Sequence, residues 1–104
     1  MLSKIVSVAA GATQTILFNA TGAKRTSASN SGKPTITIII AGGATATVAT
    51  RTAEGGTAVA VADGKLAGTI AASVSDVVEG TIHSIDVTAA VATVTVEIAF
   101  PEDI

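Results

Sequence analysis

Residues 91–100 read VATVTVEIAF, a period-two alternation that places Val94, Val96, Ile98 and Phe100 on one side of an extended strand and Thr93, Thr95 and Glu97 on the other. Ten residues with one apolar and one polar face describe a half-buried β-strand. Just upstream, 81–87 (TIHSIDV) forms a second extended run, and the two read as a hairpin across Thr88, Ala89 and Ala90. Ile82 and Ile85 fall on opposite faces of the first run unless a bulge intervenes. Pro101 stops the sheet and leaves the short acidic tail Glu102, Asp103 and Ile104.

The same grammar runs back through the chain. Residues 3–8 (SKIVSV) form a first strand, ended by Ala9, Ala10 and Gly11. Residues 13–18 (TQTILF) follow, with Ile16 and Phe18 on one face and Thr13 and Thr15 opposite. The polar stretch from Asn19 to Lys33, NATGAKRTSASNSGK, reads as a long loop closed by Pro34. Strand 35–40 places Ile36, Ile38 and Ile40 on one face. Gly42 and Gly43 turn the chain into 44–52, ATATVATRT. Glu54, Gly55 and Gly56 make a hairpin turn into 57–62, TAVAVA, with Val59 and Val61 expected inward. Asp63, Gly64 and Lys65 form a second tight turn before a short strand over Leu66–Ile70. Ser73 and Asp76 have the spacing of a capping box, so 71–79 admits one helical turn, although its setting among strands favours strand or loop.

Seven or eight short strands with turn signals about every 8–12 residues predict an all-β fold, an antiparallel β-sandwich of immunoglobulin-like or small jelly-roll or barrel type. The length of 104 residues predicts a single domain, 1–104, with the long polar loop at 19–34. The alternation is a physical pattern without an internal duplication at a fixed period.

Composition narrows the function classes. The chain is 48% hydrophobic, but aromatic residues make up 2% and Trp, Tyr and Cys are absent. Small apolar side chains such as Ala bury little surface, against roughly 1.5–3 kcal/mol for a buried Val, Leu, Ile or Phe. The resulting core is thin, and binding to a partner that recognises the folded state adds to its stability. Charged residues account for 13%, about half the usual share of roughly 25%, which suits a surface covered by other proteins. A net charge of −2 argues against binding a phosphate backbone. Zero cysteine excludes disulfides and thiolate metal sites. The longest apolar stretch, Ile38–Ala44, is too short for a membrane span. Met1–Val6 lacks the long apolar core of a signal peptide.

Few residues can carry chemistry. His83 is the one candidate general base, with Asp86 and Asp76 near it in sequence. Nucleophilic catalysis also needs a nucleophile and an oxyanion hole. Ser84 is adjacent to His83, so in a strand it points to the opposite face. No catalytic residues are expected and the chain does not read as an enzyme. Asp63, Asp76, Glu79 and Asp86 could gather around calcium, but no D-x-D-x-D-G loop brings them together. No metal and no cofactor are expected. Gly42–Gly43 and Gly55–Gly56 lack the Lys-Ser/Thr pair of a phosphate loop and are turns. The loop holds Lys24, Arg25 and Lys33, three of the six cations. A long structureless loop in a compact domain commonly binds something, so these three are the candidate partner-binding residues. No aromatic side chain is there to stack on bases, and nucleic acid is not expected.

ATATVATRTAEGGTAVAVADG (44–64) resembles the strand, D/E-G-G-T hairpin, strand, D-G turn pattern of small β-sandwich structural proteins of tailed bacteriophages. EGTIHSIDVTAAVATVTVEIAF (79–100) is similar to their final hairpin. Ala58 stands where these proteins often carry an aromatic residue. The resemblance covers roughly half the chain and implies a virion structural protein: a capsid decoration (cement) protein, a head fibre base or a tail component. Such decoration proteins bind the major capsid protein and brace the joints between capsomers. The expectation is therefore a homo-oligomer, with a trimer favoured, located on the virion. A phage tail, baseplate or fibre-attachment component is the alternative. A module for host-surface polysaccharide is a further one, against which the missing aromatic counts.

Overall fold

The computed structural model describes residues 2–17, 34–53, 55–77 and 83–100. Among these residues eight strands follow in order: β1 (Leu2–Val8), β2 (Thr13–Leu17), β3 (Thr35–Ile39), β4 (Thr45–Arg51), β5 (Val59–Ala60), β6 (Val74–Val77), β7 (Ser84–Ala90) and β8 (Val94–Phe100). They form two four-stranded sheets of order β1-β8-β3-β6 and β2-β7-β4-β5, with every pairing antiparallel. The described residues contain no helix. The chain is an all-β protein of two packed sheets, as the alternation predicts.

Alternation explains what each sheet buries. Val8, Ile36, Ile38, Val94, Val96 and Ile98 come from the first sheet, and Ile16, Ala46, Val48, Ile85, Val87 and Ala89 from the second. All belong to one buried cluster, closed by Ala44, Leu66 and Ile70 from the connections. Polar outer faces pair across strands: Thr13 and Thr88 share a hydroxyl hydrogen bond of 2.7 Å, as do Thr37 and Ser75.

Several sequence expectations need correction. The expected hairpin of 81–87 and 91–100 is absent, because β7 lies in one sheet and β8 in the other. β8 pairs with β1 and β3, and β7 with β2 and β4. The strand also runs through Thr88–Ala90, where the turn was expected, because these residues pair with Thr47–Thr45 of β4. Two amphipathic strands joined by three residues can pair side by side or arch over the core. Here Val91, with φ 74°, starts the arch and swings the chain from one sheet to the other. The glycines at 42 and 43, with φ 64° and 78°, make a similar crossing between β3 and β4.

The expected strand 57–62 shrinks to Val59–Ala60, and Val59 is 63% exposed rather than inward. It is an edge strand among the described residues, pairing with Ala49 and Thr50, and the Val61 N–H just beyond it donates to the Val48 carbonyl at 3.1 Å. No strand forms over Leu66–Ile70. Leu66 and Ile70 are still buried, and Ile70 makes only an isolated bridge with Ala46. Within 71–79, Val74–Val77 is strand β6, so tertiary pairing with β3 prevails over the local capping-box spacing. Phe18, Ile82 and most of the loop 19–34 lie outside the described residues, whereas Pro34 is fully buried.

Candidate functional site

The most polar constellation lies on the outer face of the β2-β7-β4-β5 sheet. Outward positions alternate with core positions, so Thr15 on β2, Asp86 on β7 and Arg51 on β4 share this face. Thr15 stands directly opposite Asp86, and Arg51 reaches it diagonally. The Arg51 Nη1 donates to Asp86 Oδ1 at 2.8 Å and to Thr15 Oγ1 at 3.3 Å. Thr15 Oγ1 also donates to Asp86 Oδ1 at 2.8 Å, and Arg51 Nε donates to the Gly56 carbonyl at 2.9 Å. One guanidinium therefore ties three strands and the β4–β5 turn together.

His83 borders this cluster, and its backbone N–H donates to the Arg51 carbonyl at 2.7 Å. Together with Thr15, Leu17, Arg51, Gly55, Gly56 and Ser84 it lines a shallow depression of about 280 Å³. The His83 Nδ1 and Ser84 Oγ are buried with no hydrogen-bond partner among the described residues. No hydrogen bond joins the His83 side chain to Asp86 among the described residues, and Asp86 Oδ1 accepts from Arg51 and Thr15. Asp76 belongs to the other sheet. Among the described residues no carboxylate orients the His83 ring through Nδ1.

The four acids considered for calcium are distributed rather than gathered. Asp63 and Asp76 line one cleft between the sheets, Asp86 lies on an outer face, and Glu79 is outside the described residues. No group of three or more His, Asp or Glu is placed to hold a metal among the described residues. Lys24, Arg25 and Lys33 are likewise outside the described residues.

The other notable feature is apolar exposure on the outermost strands of the two sheets. Ile5 of β1 is 67% exposed and Leu17 of β2 is 40% exposed; on the opposite side Val59 of β5 is 63% and Val77 of β6 is 45% exposed. Each is the contribution of one outermost strand. Lys4 has its Nζ hydrogen-bonded to the Leu17 carbonyl at 3.0 Å, linking the β1 and β2 edges of the two sheets. Burial lowers its pKa below the ordinary lysine value of 10.5.

Sequence reading does not single out Arg51, Thr15 or the Asp63–Asp76 cleft. The alternation of β4 and β7 already places Arg51 and Asp86 on polar faces, but only the strand pairing brings the two faces side by side. Compared with known protein families, with curated proteins and with solved structures, the chain matches none of them.

Proposed function

We propose that this chain is a virion structural protein, a capsid decoration (cement) protein that binds the major capsid protein or other virion proteins and braces the joints between capsomers. The observation that carries this reading is the exposure of Ile5, Leu17, Val59 and Val77, one from each outermost strand of the two sheets. An outermost strand offers unpaired backbone groups as well as its side chains, which is the chemistry of β-augmentation. Exposed apolar side chains add area that is worth burying. The low charge content and the resemblance of 44–64 and 79–100 to phage structural proteins support the same reading.

The mechanism is additive burial. Each copy spans a joint with a modest contact, and many copies together raise the work needed to separate capsomers. No bond is made or broken.

Co-sedimentation of the purified chain with capsids lacking it tests the proposal. Saturable binding, together with a higher temperature of capsid disruption, is the expected result. A chain that ignores capsids but joins tails or forms rings would move the protein to the tail.

A further inference from the structure

Among the described residues the longest open strand edge belongs to β1. It pairs on one side with β8, in a ladder that runs without a bulge from Leu2–Phe100 to Val8–Val94. The other side presents backbone N–H and C=O groups to which no described strand pairs, a template for one more strand. The remaining outermost strands offer less. β5 and β6 have two and four residues, and on β2 the hydroxyls of Thr13 and Thr15 are bonded to Thr88 and Asp86. β1 holds no proline, and its one charged side chain, Lys4, shares the inward face of Val6 and Val8 and reaches the Leu17 carbonyl. An inward charge can guard an edge, but this ammonium is engaged on the other sheet and lies off the outer face.

The outer face of β1 is self-complementary. Ser3, Ile5 and Ser7 are exposed, Ile5 to 67%, and the row Ser-x-Ile-x-Ser reads the same in both directions about Ile5. A second β1 laid antiparallel, with a two-fold axis at Ile5, sets isoleucine against isoleucine and Ser3 of each copy against Ser7 of the other. Hydroxyl pairs of this kind, at 2.7 Å, already join Thr13 to Thr88 and Thr37 to Ser75 across strands of this chain. In that register Lys4 stands opposite Val6, so no like charges face each other. Glu97, beside Ile5 on β8, ends three strand spacings from its counterpart, about 14 Å, beyond the screening length of about 8 Å at physiological salt. We propose that β1 pairs with β1 of a second copy, antiparallel and centred on Ile5, joining two four-stranded sheets into one continuous sheet. The same patch serves both copies, so the contact is isologous and closes at a dimer, in place of the trimer that the phage resemblance implies. It does not depend on what the assembled protein binds.

Charge at a single position tests the axis by sedimentation velocity. The wild-type chain is expected to sediment as a dimer of its 10.1 kDa mass. Ile5→Lys and Ile5→Glu each bring like charges together at the axis, and each alone is expected to weaken dimerisation about tenfold. An equal mixture sets lysine against glutamate and regains the dimer, a rescue open only to a residue that faces its own copy. The absence of cysteine from the chain allows a second measurement. Ile5→Cys is expected to form an interchain disulfide on mild oxidation, because directly opposed residues have Cα atoms about 4.5–5.5 Å apart, within the span of the bond. Val59→Cys on β5, also exposed, is the control and stays unlinked. Circular dichroism confirms that each variant is folded. A monomeric or trimeric wild type, charge variants that remain dimers, a mixture that stays monomeric, or equal cross-linking at positions 5 and 59 would overturn the proposal. Capsid co-sedimentation of the wild type is read separately: a dimer that ignores capsids rejects decoration and keeps this contact, and a monomer that binds capsids does the reverse.

Discussion

Arg51 on β4 and Asp86 on β7 meet diagonally across the outer face of their sheet, with Nη1 2.8 Å from Oδ1 and side-chain exposures of 27% and 13%. The pair is partly shielded from water and shares the carboxylate with the Thr15 hydroxyl. Shielding strengthens it beyond an exposed ion pair. A double-mutant cycle with Arg51→Met and Asp86→Ala is expected to give a coupling energy of about 1 kcal/mol by urea unfolding. Asp86→Ala is the more damaging single change, since it removes the acceptor of two donors at once. Additive single effects would mean that the pair contributes nothing to stability.

That pair shows where sequence reading stops. The faces of β3 and β8 were legible, because Ile36, Ile38, Val94, Val96 and Ile98 alternate without interruption and all are buried. Alternation sets which side of a strand is apolar; it does not set the strand's neighbours. β7 and β8 follow each other in the chain and still belong to different sheets. The joining of Arg51 to Asp86, and of Asp63 and Asp76 around one cleft, depends on pairings between distant segments. Asp76 also fitted a local helix-capping pattern with Ser73, which the pairing of β6 with β3 overrode.

Lys4 makes a prediction about alkaline stability. Its folded pKa lies below the ordinary 10.5 because burial disfavours the charged ammonium. Between the folded and unfolded values the unfolded chain binds more protons, so unfolding free energy rises with pH in that window. The cost is present at neutral pH and is relieved as the pH climbs through the folded value toward 10.5. Lys4→Met removes this slope. Urea midpoints measured from neutral pH up to 10.5 should therefore improve in the wild type relative to the variant. Parallel curves would contradict the assignment.

Gly64 forms the floor of the turn that holds Asp76. Its φ is +84°, and a Cβ built there would lie 2.6 Å from Asp76 Oδ2. Gly64→Ala therefore combines left-handed strain with displacement of a carboxylate that accepts from the Lys65 N–H. Gly11 is the control, with φ +78° and no atom within 4 Å of the same position. Alanine at position 11 is expected to cost about 1 kcal/mol, and alanine at 64 about 1–2 kcal/mol more. Equal costs measured by thermal unfolding would show that Asp76 yields freely.

Val91 sits at the arch between β7 and β8 with φ 74°, a conformation that β-branched residues adopt only under strain. The Ala92 N–H donates to the Ala90 carbonyl at 2.9 Å, closing a three-residue turn around it. The side chain is 76% exposed and recovers little by packing. Left-handed strain in an L-residue is about 1–2 kcal/mol, and the added freedom of glycine in the unfolded chain offsets part of the relief. Val91→Gly is thus expected to stabilise the protein by about 1 kcal/mol, a rise in melting temperature of about 4–8 °C for a domain near this size. A melting temperature that falls instead would mean that the valine side chain, rather than the turn, holds the crossing between the two sheets.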